Sequence, residues 1–114
     1  IAQAAGGWTL TWQGGRELTN DYFPGATSIW SGLQQAAEAA GGTATLSTDG
    51  SYAEKPDVAV VVFGEEPYAE GVGDVDSLAY KGSDRSDLRL LQSFKDKNIP
   101  ALFAPIIATE PAQQ

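Results

Sequence analysis

The chain has 114 residues, and seven Lys and Arg against fifteen Asp and Glu give it a formal charge of -8 at pH 7. That charge repels a phosphate backbone, so we expect no nucleic-acid partner. The sequence contains no His and no Cys, which excludes a Ser-His-Asp triad, a cysteine nucleophile, a disulfide and an ordinary zinc site. The length fits one domain, no apolar run is long enough to span a membrane, and no signal peptide is visible. We expect no metal and no cofactor.

The first third of the chain changes from an irregular stretch to a helix. Residues 1–25 hold five glycines and two tryptophans, which predicts a loop with at most one short turn of structure. From Ser28 the apolar residues recur every three to four positions, so we predict a helix over about 28–40, capped by Thr27 or Ser28 and ended by a glycine pair. A short strand is predicted over residues 43–47.

The rest of the chain predicts two buried strands with a helix between them. Residues 58–63 are continuously apolar and mostly β-branched, which predicts a parallel strand covered on both faces. After a long acidic loop, a helix is predicted to begin at Ser83 or Asp84 and to end at Asn98, with these residues on its apolar face: Leu88, Leu91 and Phe94. Residues 99–104 predict another buried strand.

The order of these elements predicts the fold class. Helices that alternate with buried strands are typical of an α/β fold. We therefore predict a layered α/β sandwich with a mostly parallel sheet, containing about three strands and two helices. In such sheets the functional loops follow the carboxyl ends of the strands, which places the segment after residue 63 in the predicted site.

That segment, residues 64–74, is named here the acidic loop. It carries four carboxylates within ten residues: Glu65, Glu66, Glu70 and Asp74. Crowding and partial burial keep a carboxyl group protonated at higher pH, so that it is able to act as a general acid. The alternative is a solvated acidic loop with no chemical role. Asp74 and Asp76 resemble the start of a calcium loop, but the Gly and distal Glu of that motif are missing.

A second candidate site lies in residues 1–14, which we call the opening segment. Trp8 and Trp12 stand four positions apart among glycines and hydroxyl residues. Flat indole rings stack on the apolar faces of sugars, so the pair predicts an aromatic sugar-binding platform. The alternative is that one or both rings fill the core. Trp30, within the first helix pattern, is predicted to pack in the core.

Three runs of sequence together resemble a known family. They are the Gly-Gly-Trp-Thr-Leu-Thr-Trp-Gln-Gly run at residues 6–14, the Phe-Pro-Gly-Ala-Thr-Ser-Ile-Trp run at residues 23–30, and residues 55–70, which end in Gly-Glu-Glu-Pro-Tyr-Ala-Glu. In this order they resemble the C-terminal α/β domain of family 3 glycoside hydrolases, of the exo-β-glucanase, glucan exohydrolase or β-glucosidase type. The resemblance extends over roughly residues 3–100.

The resemblance implies a function and a role for each site residue. Enzymes of this family remove terminal β-linked glucose with retention, using an Asp nucleophile from an N-terminal barrel and an acid/base Glu from the second domain. It implies that Glu70 is the general acid/base, with Glu65 as the runner-up. It also implies that Trp12 first, and Trp8 second, contact the leaving-group sugar. The family is often exported, which implies a periplasmic or secreted location.

The departures from the family define what we expect of the chain itself. The barrel and its nucleophile are not in this sequence, so we expect one partial domain over 1–114, with a substrate-side loop at 1–27, an α/β core at 28–104 and a frayed tail at 105–114. Its expected partners are β-linked glucose oligosaccharides and the missing barrel, and the isolated chain is expected to be inactive. The alternatives are a stand-alone carbohydrate-binding module, or a structural domain that forms homo-oligomers through unpaired sheet edges.

Overall fold

The computed structural model describes residues 1–14, 17–77, 79–80 and 84–106. The elements of these residues, in chain order, are helix α1 (Ala2–Ala5), a 3-10 turn (Asn20–Tyr22), helix α2 (Ile29–Ala39), strand β1 (Ala59–Gly64), helix α3 (Ser86–Asp96) and strand β2 (Ala101–Ile106). The predicted α/β fold class is confirmed. None of the helices in this part of the chain has the length and apolar character needed to cross a membrane.

Both predicted helices form. The predicted Ser28 cap of α2 is confirmed, but the N-cap of α3 is Arg85, which makes no side-chain capping bond, and not the predicted Asp84. The Ser28 hydroxyl accepts a hydrogen bond from the backbone N–H of Ser31 at 3.0 Å, which caps α2. At the start of α3 the Asp84 carboxylate accepts from the N–H of Ser86 at 2.8 Å. Asn98, just beyond α3, has φ +52°, a conformation that Asn tolerates and that ends a helix.

The two strands pair in parallel, as predicted, with Val61 opposite Phe103. Helix α3 packs against one face of this pair. The core there consists of Val61, Phe94 and Ile99. Leu88, predicted to belong to this core, is instead exposed, and Leu90 packs there beside Leu91. The predicted positions of Leu91 and Phe94 at the core are therefore confirmed, and that of Leu88 is wrong.

The opposite face of β1 corrects the prediction of burial on both sides. Val60 is 42% exposed and Val62 is 39% exposed. Their register partners on β2 are Leu102 and Ala104, which are exposed as well. A run of β-branched residues is typical of a strand covered on both faces, but the described residues cover this strand on one face only.

Two further predictions are wrong in detail. Residues 43–47 form no strand, so the described sheet has two strands instead of about three. Leu46 is exposed, so that burial of its side chain does not stabilise a strand there. The opening loop contains two short helical turns instead of one at most.

Trp30 is half-buried in α2. Strand β2 continues through Pro105 to Ile106. Ser83 and residues 107–114, most of the predicted frayed tail, lie outside the described residues.

Candidate active site

The acidic loop begins where β1 ends, because Gly64 is the last residue of that strand. This is the carboxyl end of a parallel strand, where functional loops of α/β folds lie. The opening segment packs against the acidic loop, although more than fifty residues separate them in the sequence. The two candidate sites predicted from the sequence are therefore neighbours in the structure.

Gln13 makes two hydrogen bonds that join the segments. Its side-chain Nε2 donates to the backbone carbonyl of Glu70 at 2.9 Å. Its Oε1 accepts from the backbone N–H of Ala69 at 2.7 Å. Only this orientation of the carboxamide pairs a donor with an acceptor at both positions. Since Gln13 follows Trp12 directly, one residue links the tryptophan segment to the backbone that carries Glu70.

Close backbone packing reinforces this junction. A Cβ atom placed on Gly7 would overlap the carbonyl oxygen of Tyr68, so no larger residue fits at position 7 without displacement. The neighbouring Ala69 is only 4% exposed. At the start of the loop, Gln3 Nε2 donates to the carbonyl of Glu65 at 2.9 Å. The opening segment thus contacts the loop near its start and again near Glu70.

The acidic loop is also ordered by its own hydrogen bonds. The N–H of Gly73 donates to the carbonyl of Ala69 at 2.8 Å. The N–H of Gly71 donates to the Asp74 carboxylate at 3.2 Å, which commits one of the four carboxylates to holding the turn. Gly71 has φ +85°, a conformation suited to glycine. These bonds shape a tight turn immediately after Glu70.

The two candidate acid residues occupy different surroundings. Glu70 is exposed at the surface, and Glu65 is half-buried. The hydroxyl of Tyr68 donates to the Glu65 carboxylate at 3.3 Å. In the described part of the chain, no three acidic side chains come together in a way that would hold a metal ion. Of the two candidate acids, Glu70 is therefore exposed and Glu65 is held by a neighbouring tyrosine.

The two tryptophans of the opening segment are both at the surface. Trp8 is 66% exposed and Trp12 is 52% exposed, so neither fills the core. Their ring centres lie 6.1 Å apart and the ring planes are inclined by 45°. The backbone N–H of Trp8 donates to the carbonyl of Trp12 at 2.9 Å, which closes the loop between them. The rings form an angled pair and not a single flat platform.

The backbone that presents these rings adopts unusual conformations. Trp8 and Leu10 both have φ +61°, in the left-handed region that side chains rarely occupy. Each such residue costs on the order of 1–2 kcal/mol. The hydroxyl of Thr9 donates to the carbonyl of Ala5 at 3.0 Å and helps to hold the turn. Backbone strain of this kind is concentrated at functional sites.

Sequence reasoning found Glu70, Glu65, Trp8 and Trp12 but missed the residues that hold them. The amide of Gln13 and the close approach at Gly7 are two of these. Sequence reasoning also missed Tyr80, which contacts the end of β1 just before the acidic loop: its hydroxyl donates to Asp87 at 2.7 Å and lies 3.3 Å from the carbonyl of Gly64. No local pattern identifies such residues, because their partners lie far away in the chain.

Comparison with known proteins identifies relatives of this arrangement. No model of a protein family matches the chain. The lysosomal β-glucosidase of Dictyostelium discoideum is 34% identical in an alignment 118 positions long that covers 90% of this chain. The crystal structure of an exo-1,3/1,4-β-glucanase from Pseudoalteromonas is 49% identical, superposes with a TM-score of 0.86 and covers 91% of this chain. The chain is similar to one segment of a β-glucosidase and an exo-β-glucanase. The resemblance to glycoside hydrolases of this type is confirmed.

The match concerns a small part of each of these enzymes. The chain spans 14% of the β-glucosidase and 13% of the exo-β-glucanase. A second structure of the exo-β-glucanase, a point mutant, matches with a TM-score of 0.85, and the chain spans 17% of it. The matched segments cover about nine-tenths of this chain.

Proposed function

We propose that this chain supplies the proton-donating part of a retaining exo-β-glucosidase or glucan exohydrolase. The observation that carries the proposal is the junction of the acidic loop with the exposed tryptophan pair, through Gln13. The two relatives support this substrate class, since one is a β-glucosidase and the other an exo-1,3/1,4-β-glucanase. The proposed substrates are β-linked glucose oligosaccharides.

In the proposed reaction Glu70 acts twice. Retaining hydrolysis uses two carboxyl groups about 5–5.5 Å apart. As the nucleophile attacks the anomeric carbon, protonated Glu70 gives its proton to the departing glycosidic oxygen. The resulting Glu70 carboxylate then takes a proton from the water that hydrolyses the glycosyl-enzyme intermediate. One carboxyl cannot both attack and protonate, so we expect the isolated chain to release no glucose from laminari- or cello-oligosaccharides.

Glu70 is favoured over Glu65 by its surroundings. An acid that protonates a substrate oxygen has to reach it directly, and Glu70 is exposed beside the tryptophan segment. The hydroxyl of Tyr68 donates a hydrogen bond to the Glu65 carboxylate, so that this carboxyl group already has a neighbouring side chain as its partner. We propose that Glu65 orients the loop and that Glu70 transfers the proton.

The proposed roles of Trp12 and Trp8 follow from their exposure and angle. A glucose ring presents an apolar face that stacks on one indole, and the second ring, inclined by 45°, contacts its edge. A sugar held in this way would keep bulk water from Glu70. Trp12 is nearer in sequence to the bond with the acidic loop, so we assign it the larger contribution.

The dependence of rate on the leaving group tests the role of Glu70. The experiment uses a chimera in which this chain replaces the matching segment of the Pseudoalteromonas exo-β-glucanase, which supplies the remaining domains. We expect Glu70→Gln to lower kcat/KM by about 10²–10⁴-fold for glucosides with poor leaving groups, and far less for dinitrophenyl glucoside, which needs no proton. Glu66→Gln is the matched control. Equal losses for both substrate classes would assign proton donation to another residue.

A carbohydrate-binding module is the second candidate, and the exposure of both indoles favours it. The test is the tryptophan fluorescence of this chain during titration with β-gluco-oligosaccharides. A response that Trp12→Ala abolishes and Trp30→Phe preserves would support binding without catalysis. No response up to millimolar sugar would count against this candidate.

A further inference from the structure

We infer that Gln13 is a positioning residue that sets the direction of the Glu70 side chain and couples it to the tryptophan pair. This inference rests on the proposed function and deepens it. Its basis is the pair of hydrogen bonds from a single carboxamide, at 2.9 Å to the carbonyl of Glu70 and at 2.7 Å to the N–H of Ala69.

The two hydrogen bonds are made to the backbone on either side of the peptide bond between Ala69 and Glu70, the candidate acid. The N–H of Ala69 and the carbonyl of Glu70 are separated by the dihedral angles of these two residues. When both groups are fixed by one planar carboxamide, these dihedral angles are restricted. The direction of the Glu70 Cα–Cβ bond depends on them, so Gln13 limits where the carboxyl group points.

The chemistry of the side chain explains why glutamine fits this position. The carboxamide supplies a donor and an acceptor on one rigid plane. A glutamate of the same shape keeps the acceptor but, when ionised, loses the donor and places a charge against the Glu70 carbonyl. A leucine of similar size loses both bonds and leaves the N–H of Ala69 without this partner, at a buried residue, where an unsatisfied group is costly.

The position of Gln13 in the chain adds a second consequence. It is the residue after Trp12, whose indole is the first candidate for contact with the leaving-group sugar. A sugar that shifts Trp12 therefore shifts the backbone next to the Gln13 carboxamide. Alignment of donor and substrate within about 1 Å has large effects on rate, since such a misplacement costs about 10²-fold. Gln13 links sugar contact to proton delivery.

Gln3 provides a matched control within the same chain. It is also a glutamine of the opening segment, and its Nε2 also donates to a backbone carbonyl of the acidic loop, that of Glu65, at 2.9 Å. That bond lies five residues before Glu70 and involves a single contact. A general loosening of the junction affects both variants, whereas positioning of the acid affects Gln13 variants alone.

The experiment compares Gln13→Leu and Gln3→Leu in the exo-β-glucanase chimera. We expect Gln13→Leu to lower kcat/KM about 10²-fold for glucosides with poor leaving groups and only a few-fold for dinitrophenyl glucoside. Gln3→Leu is expected to change both substrates alike and by little. Equal losses for the two substrates in Gln13→Leu, or a leaving-group effect of the same size in Gln3→Leu, would overturn the inference.

Measuring Glu70→Gln in the same series separates two kinds of failure. If Glu70→Gln shows the leaving-group effect and Gln13→Leu does not, the positioning role is wrong and the proposed function stands. If Glu70→Gln shows no such effect, the proposed function fails, and the inference that rests on it fails too. Both results are read from the same two substrates.

The variant Gln13→Glu tests the same inference if the leucine variant folds poorly. Its carboxyl group regains a donor when protonated. We therefore expect its activity relative to the unchanged chimera to recover as the pH falls through the pKa of the introduced carboxyl. A ratio that does not change with pH would show that the donated bond to Glu70 has no influence on proton transfer, and would overturn the inference.

Discussion

Gly7 shows at the scale of single residues how the candidate site is held together. Its backbone lies against the carbonyl of Tyr68 so closely that a Cβ has no room. The sequence identified the residues with recognisable chemistry, Glu70 and Trp12, because carboxylates and indoles imply a function by type. It did not identify Gly7 or Gln13, since a glycine or an amide acquires its role from a partner that folding brings near.

We expect Gly7→Ala to destabilise the chain by about 1–3 kcal/mol, since the added methyl group has to displace packed backbone. The matched control is Gly32→Ala in α2, where a Cβ meets nothing within 4 Å. That change should stabilise the chain by about 0.5–1 kcal/mol, because alanine favours a helix over glycine. Urea denaturation measures both. Equal stabilities for the two variants would show that the approach to Tyr68 is not a tight contact.

At the scale of elements, local signals predicted the helices better than the strands. Helix α2 begins and ends where its Ser28 cap and terminal glycines indicated, because capping is a property of adjacent residues. The strand predicted over residues 43–47 does not form. A strand needs a neighbouring strand and a buried face, and neither is encoded in its own sequence. The facing of α3, with Leu90 and not Leu88 at the core, was likewise decided by packing.

The turn after residues 43–47 contains Asp49, the carboxylate for which we predict a specific pKa. Hydrogen bonds from Ser51, through its hydroxyl and backbone amide, and from the Ser47 hydroxyl lower the pKa of Asp49 to about 2. A lowered pKa means that the ionised form stabilises the folded turn above the unfolded value of about 3.9. This stabilisation is lost as the pH falls through about 2.

NMR titration of the Asp49 carboxyl should therefore give a midpoint near 2. In Ser51→Ala the midpoint should rise towards the ordinary value for Asp, because the hydroxyl donor is gone while the amide remains. Asp49→Asn should remove the corresponding step in stability against pH. A midpoint at the ordinary value in the unchanged chain would show that the turn is not formed in solution.

At the scale of the whole molecule, one face of the sheet is left uncovered by the residues that the structure describes. This face includes Val60, Val62 and Leu102, all of them exposed. Apolar surface of this kind and unpaired strand edges favour association.

We therefore expect the isolated chain to form dimers or larger assemblies. Light scattering over a range of concentrations measures this. Leu102→Lys should shift the equilibrium towards the monomer, because it places a charge on the uncovered face. Thr48→Lys, an exposed change of the same charge outside the strands, is the control. A monomer at high concentration in the unchanged chain would contradict the expectation.

The central claim is that residue 70 donates the proton while the attacking carboxylate lies elsewhere, and rescue by azide tests it most directly. In the chimera with Glu70→Ala, the glycosyl-enzyme intermediate lacks the base that activates water, and azide needs no base to attack it. We expect azide to restore turnover of an activated β-glucoside and to give β-glucosyl azide, with retained configuration. The α-azide would identify residue 70 as the nucleophile, and the absence of any azide effect would show that it is neither acid nor base.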